Sequence, residues 1–302
     1  MMKKRKMVKN MNIERSGKQV HYMHLNDKPY SMIASGQKTI ELRLYDEKRK
    51  KIHLGDTIIF ANLETGKKTA VKVKNIYTDV SFQNLFKRIN NNSQLGFADI
   101  YTYMEMANMM REYYSEEQEK KYGVIAIEFD SPKIEVAFPI ETIPDEKVKY
   151  NVVISVYDNQ IVFCQKENSD TWNIPGGHVE KGEAIADSAV RELWEETGAA
   201  KIKGIIAIGD YYACDSTNET RGAYGRVFYA ELSENLPVYP PESFEMANTQ
   251  LMHIDIEDNS NTWISPDFTH FEIYSVILDS FIMSYKSGKI DISLGDNLGL
   301  LV

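Results

Sequence analysis

Cysteine is nearly absent from this 302-residue chain, which has only Cys164 and Cys214. Two thiols cannot build a multi-bridge framework, and their spacing is not that of a metal knuckle. A reducing, cytoplasmic setting is therefore expected. Long hydrophobic runs are missing too: none approaches the roughly 18–20 residues of a membrane span, so no membrane partner is expected. The basic start, Met1 to Asn10, is followed by Met11-Asn-Ile-Glu-Arg15. An apolar stretch would be needed there for export. Internal repeats and long low-complexity segments are lacking as well, apart from the short Asn90–Ser93 run.

What is present is ordinary for a globular chain, with 43% hydrophobic and 26% charged residues, which argues against wholesale disorder. The length suits about two domains. The net charge of −9 is unevenly spread: residues 1–130 hold 23 Lys and Arg against 16 Asp and Glu, and residues 131–302 hold 12 against 28. A basic half can approach phosphates, whereas an acidic half repels them unless divalent cations intervene. An uneven solvated surface explains the same split. A turn-forming Asp130-Ser-Pro-Lys133 suggests the seam. The expected division is a basic tail over 1–19, a first domain over 20–130 and a second over 131–302.

The acidic half holds the informative stretch, Trp172-Asn-Ile-Pro-Gly-Gly-His178 continuing to Gly198. A Pro-Gly-Gly turn exposes backbone carbonyls. A helix is predicted over Glu183–Thr197, stopped by Gly198. Ala186, Ala189, Val190 and Leu193 have the spacing of its buried stripe. Glu192, Glu195 and Glu196 fall at i, i+3 and i+4 and share another side, where like charges repel. Acids near a helix C-terminus also oppose its dipole. A hard divalent cation removes that repulsion by taking carboxylate, phosphate and water oxygens together.

These residues resemble a Nudix box, G-x5-E-x7-R-E-U-x-E-E-x-G-U with U aliphatic. Gly177, Glu183, Arg191-Glu192, Leu193, Glu195-Glu196 and Gly198 fill it, and Ala199 stands where a bulkier aliphatic is usual. The resemblance implies an α/β/α sandwich binding Mg²⁺ or Mn²⁺ and hydrolysing a nucleoside diphosphate linked to another group. By the same resemblance, Glu195 and Glu196 match the main metal ligands, beside the carbonyl of Gly176. Glu192 matches a further ligand or general base. Arg191 matches an arginine that orients a glutamate, and Glu183 an acid that supports the loop. Glu245, or its neighbour Glu242, is the expected acid from outside the box. Tyr211, Tyr212 and Arg226 are candidates for a base pocket, although strand packing also accounts for the tyrosines. Trp172 suits loop packing better than base stacking.

In the basic half, Gly36-Gln-Lys-Thr-Ile-Glu-Leu-Arg43, the Gly55-Asp56 turn and the strand after Tyr122 resemble an ASCH domain, a PUA-like β-barrel. That family is associated with RNA binding, and some small members deacylate acetylated cytidine. Lys38 matches the lysine of those enzymes, but Glu41 stands where they carry threonine. Lys38, Glu41 and Arg43 are therefore read as a polar ligand constellation, and strand-edge charges that block sheet pairing are the plainer alternative.

The expected fold is thus α+β in two domains, an ASCH barrel followed by a Nudix sandwich. The expected function is metal-dependent pyrophosphohydrolysis of a (d)NTP, oxidised guanine nucleotides included, with RNA or a nucleotide bound by the first domain. An RNA 5′-pyrophosphohydrolase and a non-catalytic, RNA-binding nucleotide sensor stay open. A homodimer is the common oligomeric state.

Overall fold

The computed structural model describes residues 18–158, 160–199, 201–233, 246–253 and 262–286. Strand β1 (Lys18–Leu25) leads into helix α1 (Asp27–Ala34), then β2 (Ile40–Leu44), β3 (Thr57–Asn62) and the long β4 (Lys68–Asp79). Four short helices follow, α2 (Phe82–Ile89), α3 (Asn92–Leu95), α4 (Tyr103–Met109) and α5 (Glu116–Tyr122), before β5 (Val124–Phe129). Helices this short rely on their ends. Thr102 with Glu105 and Ser115 with Gln118 form capping boxes at α4 and α5, which satisfy orphan N–H groups reciprocally.

After β6 (Ile134–Ala137) come β7 (Val148–Tyr157) and β8 (Gln160–Lys166), an antiparallel pair, then helix α6 (Ile185–Thr197). The chain continues through β9 (Ile202–Asp215), β10 (Asn218–Leu232), β11 (Met246–His253) and β12 (Thr262–Ser265) to α7 (Phe271–Lys286). Among the described residues, no helix is long and apolar enough to cross a membrane.

A continuous sheet runs through both halves in the order β11-β8-β7-β10-β9-β6-β4-β3-β1-β12, and β2 joins through β5. β6 is the stitch: it pairs with β9 over four residues and with β4 at Lys68↔Val136. At the far end β12 pairs antiparallel with β1, Lys18 opposite Ser265. β1 therefore takes in Lys18 and Gln19 of the expected tail.

Burial follows the same plan. One face of the second half carries α6, whose Ile185, Ala189 and Leu193 pack with Val153, Val162 and Phe228. The other face carries α7, whose Val276, Leu278 and Phe281 pack in one core with Val152, Ile154 and Phe163 and with Val20, Ile59 and Ala70 of the first half. Lys68 Nζ also donates to Ser280 Oγ of α7 at 2.8 Å. The halves share apolar core, not only a linker.

Two local expectations are corrected. The buried stripe of α6 is Ile185, Ser188, Ala189 and Leu193, and Ala186 is exposed. The i, i+4 series from Ile185 turns the helix by one position, so the bulkier Ile185 takes the core. Arg226 is not free to line a pocket. It is 9% exposed and donates to Asp210 at 2.7 Å, Asp145 at 2.6 Å and the Ile143 carbonyl at 2.7 Å.

Candidate active site

The loop before α6 is clamped to β7 by its backbone. Val153 N–H donates to the Pro175 carbonyl at 2.7 Å, Asn151 N–H to Gly177 at 2.9 Å, and Val179 N–H to Lys149 at 3.0 Å. None of these bonds uses the Gly176 carbonyl. Gly176 has φ +151°, and a Cβ there would stand 2.3 Å from the Asn151 carbonyl oxygen, so glycine alone permits the approach. At Gly177 a Cβ would fall 2.4–2.7 Å from the Glu192 carboxylate. That space holds the acid.

Helix α6 stops where expected: Gly198 is left-handed, with φ 74°, and its N–H donates to the Trp194 carbonyl. Two turns earlier, Arg191 is the hub. Its Nε donates to Glu183 Oε1 at 2.8 Å and its Nη2 to Glu183 Oε2 at 3.0 Å. Nη1 reaches Glu192 Oε1 at 2.9 Å and Glu195 Oε2 at 3.1 Å. Nη2 also meets the His178 carbonyl at 3.1 Å and Ser188 Oγ at 3.2 Å. The guanidinium thus supplies counter-charge for three acids and ties loop to helix.

Glu196 turns elsewhere. Its Oε2 accepts from Gly176 N–H at 2.9 Å and lies 3.5 Å from Cys164 Sγ. The three glutamates are therefore not one uniform patch, as their helical spacing alone suggests. Burial raises the Glu196 carboxyl to about 7, against the Gly176 bond that lowers it. Burial also raises Glu192, opposed by Arg191. The Arg191 bonds hold Glu183 down at about 2.

Among the described residues, no three His, Cys, Asp or Glu side chains converge as a metal cage. Glu242 and Glu245 lie outside the described residues. The donors nevertheless fit a hard divalent cation: Glu192, Glu195 and Glu196 each offer oxygen, Gly177 leaves room for Glu192, and Glu196 is half-buried, with no cationic side chain bonded to it among the described residues.

Polar residues beneath the loop escape a motif search. Asn151 and Ser188 are buried, with Asn151 Nδ2 donating to Ser188 Oγ at 2.9 Å, and Ser188 Oγ donates to the His178 carbonyl at 3.3 Å. Asn151 within the apolar run Asn151-Val-Val-Ile154 was the only sequence signal, a polar group placed where it needs a buried partner.

In the first half, Lys38, Glu41 and Arg43 are brought together. Lys38 Nζ lies 2.9 Å from Glu41 Oε2, and Arg43 Nε lies 3.0 Å from Oε1. Arg43 Nη2 also donates to the His24 carbonyl at 3.1 Å. Burial pushes the Glu41 carboxyl up, but the two cations outweigh it and leave it below its usual value. Glu41 is 4% exposed and Lys38 8%, with Arg43 half-buried, so the two cations pair with a buried acid on β2.

Comparison with known proteins finds the NUDIX domain family over residues 147–266 and the ASCH domain family over residues 23–133. Phosphatase NudJ of Escherichia coli K12 is 38% identical over 73 residues, 24% of this chain and 45% of that protein. The chain spans about half the length of the curated relatives it matches. A solved structure of the Bacillus subtilis pyrophosphohydrolase BsRppH aligns at 20% identity, over 52% of this chain and 94% of that one, with a TM-score of 0.40. Protein PF0455 of Pyrococcus furiosus aligns at 35% identity over 37% and 96% of the two chains, with a TM-score of 0.30. The chain carries an ASCH domain followed by a NUDIX domain.

Proposed function

We propose that this protein is a metal-dependent pyrophosphohydrolase acting on nucleoside diphosphate-linked substrates, first among them (d)NTPs, oxidised guanine nucleotides included. The observation that carries it is the Arg191 hub, which holds Glu183, Glu192 and Glu195 beside a loop that accommodates Glu192 and binds Glu196. Four acids kept this close are a liability for folding alone. In this reading the α6–sheet–α7 layers are the Nudix sandwich, and the strands up to β5 form the ASCH barrel.

Glu192, Glu195, Glu196 and the Gly176 carbonyl would hold Mg²⁺ or Mn²⁺, and Glu245 is the outside acid. A bound ion of this kind neutralises charge on a pyrophosphate and makes water a better nucleophile. Glu192 receives the proton of the attacking water, a role that suits a carboxyl raised by burial. The water oxygen bonds to phosphorus, and the bridging oxygen leaves with the departing phosphate. Arg191 orients the acids and Glu183 anchors Arg191.

The ASCH domain is read as an RNA or nucleotide module around Lys38, Glu41 and Arg43. That reading favours an RNA 5′ end as the alternative substrate, because residues 1–130 carry the basic surplus. The test is a panel of nucleotides and 5′-triphosphate RNA with Mg²⁺ and Mn²⁺. Wild type turns over at least one class and Glu196→Gln does not. Absence of turnover across the panel would favour the sensor.

A further inference from the structure

A polar pair interrupts the apolar layer between α6 and the sheet. Ser188 lies in the buried stripe of α6 with Ile185, Ala189 and Leu193. Asn151 meets it from β7, on the same side of that strand as Val153 of the α6 core. Ser188 is 0% exposed and Asn151 1%. Apolar side chains of similar size would fill this place without needing partners. The polar pair does not even satisfy itself: among the described residues, Asn151 Oδ1 is buried with no hydrogen-bond partner. A core that departs from its own pattern in this way, directly beneath the acids, points to a use beyond packing.

The Ser188 hydroxyl is used to capacity. It accepts from Asn151 Nδ2 at 2.9 Å and from Arg191 Nη2 at 3.2 Å, and it donates to the His178 carbonyl at 3.3 Å. One donor and two acceptor positions are all that a hydroxyl has. Sheet, loop and guanidinium therefore meet at one oxygen. The Glu183 pair moors Arg191 only to the loop, where Glu183 Oε2 accepts from Glu180 N–H at 3.1 Å. Ser188 adds a mooring that leads through Asn151 to β7. It acts at Nη2, while Nη1 of the same group reaches Glu192 and Glu195. A guanidinium is planar and rigid, so fixing one of its nitrogens fixes the reach of the other.

We propose that Asn151 and Ser188 are positioning residues that moor Arg191 to the sheet, at the place where its Nη1 gathers Glu192 and Glu195 for turnover. The proposal rests on the reading of those acids as the hydrolytic site. The variants are Ser188→Ala, and Ser188→Ala combined with Asn151→Leu, which removes both polar groups and leaves no orphan. In the full chain with EDTA, the Arg191 Nε–H, observed by ¹⁵N-arginine NMR, should exchange with water about tenfold faster in both variants than in wild type. With Mg²⁺ and a nucleotide that wild type hydrolyses, kcat should fall about tenfold with KM unchanged. The urea midpoint of the double variant should equal or exceed that of wild type, which a merely structural role does not allow. Wild-type exchange in both variants, wild-type kcat, or a double variant that loses stability in step with turnover would overturn the proposal. Absence of turnover by wild type would refute the hydrolase reading instead, and the exchange rates would still decide whether Ser188 holds Arg191.

Discussion

Arg191 grips Glu183 with two parallel bonds, Nε to Oε1 and Nη2 to Oε2, across the loop that separates them. A lysine carries one point charge and cannot make that pair. Arg191→Lys should lower kcat by about 10–100-fold with little change in melting temperature, because the side chain is partly exposed. Steady-state kinetics beside a thermal melt checks this. The Arg191 bonds depress the Glu183 carboxyl to about 2. Their stabilising contribution is therefore present above the ordinary value of 4.5 and is lost as pH falls toward 2.

The adjacent glycines should fail differently. At Gly177 an added methyl meets the end of a side chain, the Glu192 carboxylate, and at Gly176 it meets the Asn151 backbone. Gly177→Ala should abolish most turnover while the fold persists. Gly176→Ala should lower the denaturation midpoint, since the β7 clamp cannot move aside. Urea melts of both variants separate the outcomes.

Glu196 sets a pH dependence of the opposite sign. Burial raises its carboxyl from 4.5 to about 7 in the folded chain. Folding thus favours the protonated form, and stability from this group is full below about 4.5 and is lost as pH rises through 7. In EDTA, the melting temperature of Glu196→Gln minus that of wild type should grow from pH 5 to pH 8. Added Mg²⁺ should stabilise wild type more at pH 8 than at pH 5. A difference independent of pH would contradict this.

The shared core predicts that the halves unfold together. Removing residues 1–133 strips Val20, Ile59 and Ala70 from the cluster around α7, and residues 134–302 alone should be insoluble or molten. The whole chain should show a single calorimetric transition. Phe281→Ala, in the same cluster, should cost about 3–5 kcal/mol and shift that transition as a unit.

The sequence was most readable where chemistry is local. The spacing from Gly177 to Gly198 places Arg191 and its acids because a helix fixes which residues are neighbours. The turn from Glu196 to the Gly176 N–H was not legible, since it depends on how the loop docks on β7. Lys38, Glu41 and Arg43 lie close enough in sequence to be grouped by eye. Their mutual neutralisation depends on burial, which no pattern in one strand reveals. The reading of Arg226 failed because its partners Asp145 and Asp210 come from distant segments. The pairing of β1 with β12 has no local signature at all.

That last pairing bears on synthesis. The edge of β1 that faces β12 stays unpaired until Thr262–Ser265 has left the ribosome. An open strand edge on a nascent chain invites foreign partners. Completing the first half therefore waits on a strand made more than two hundred residues later.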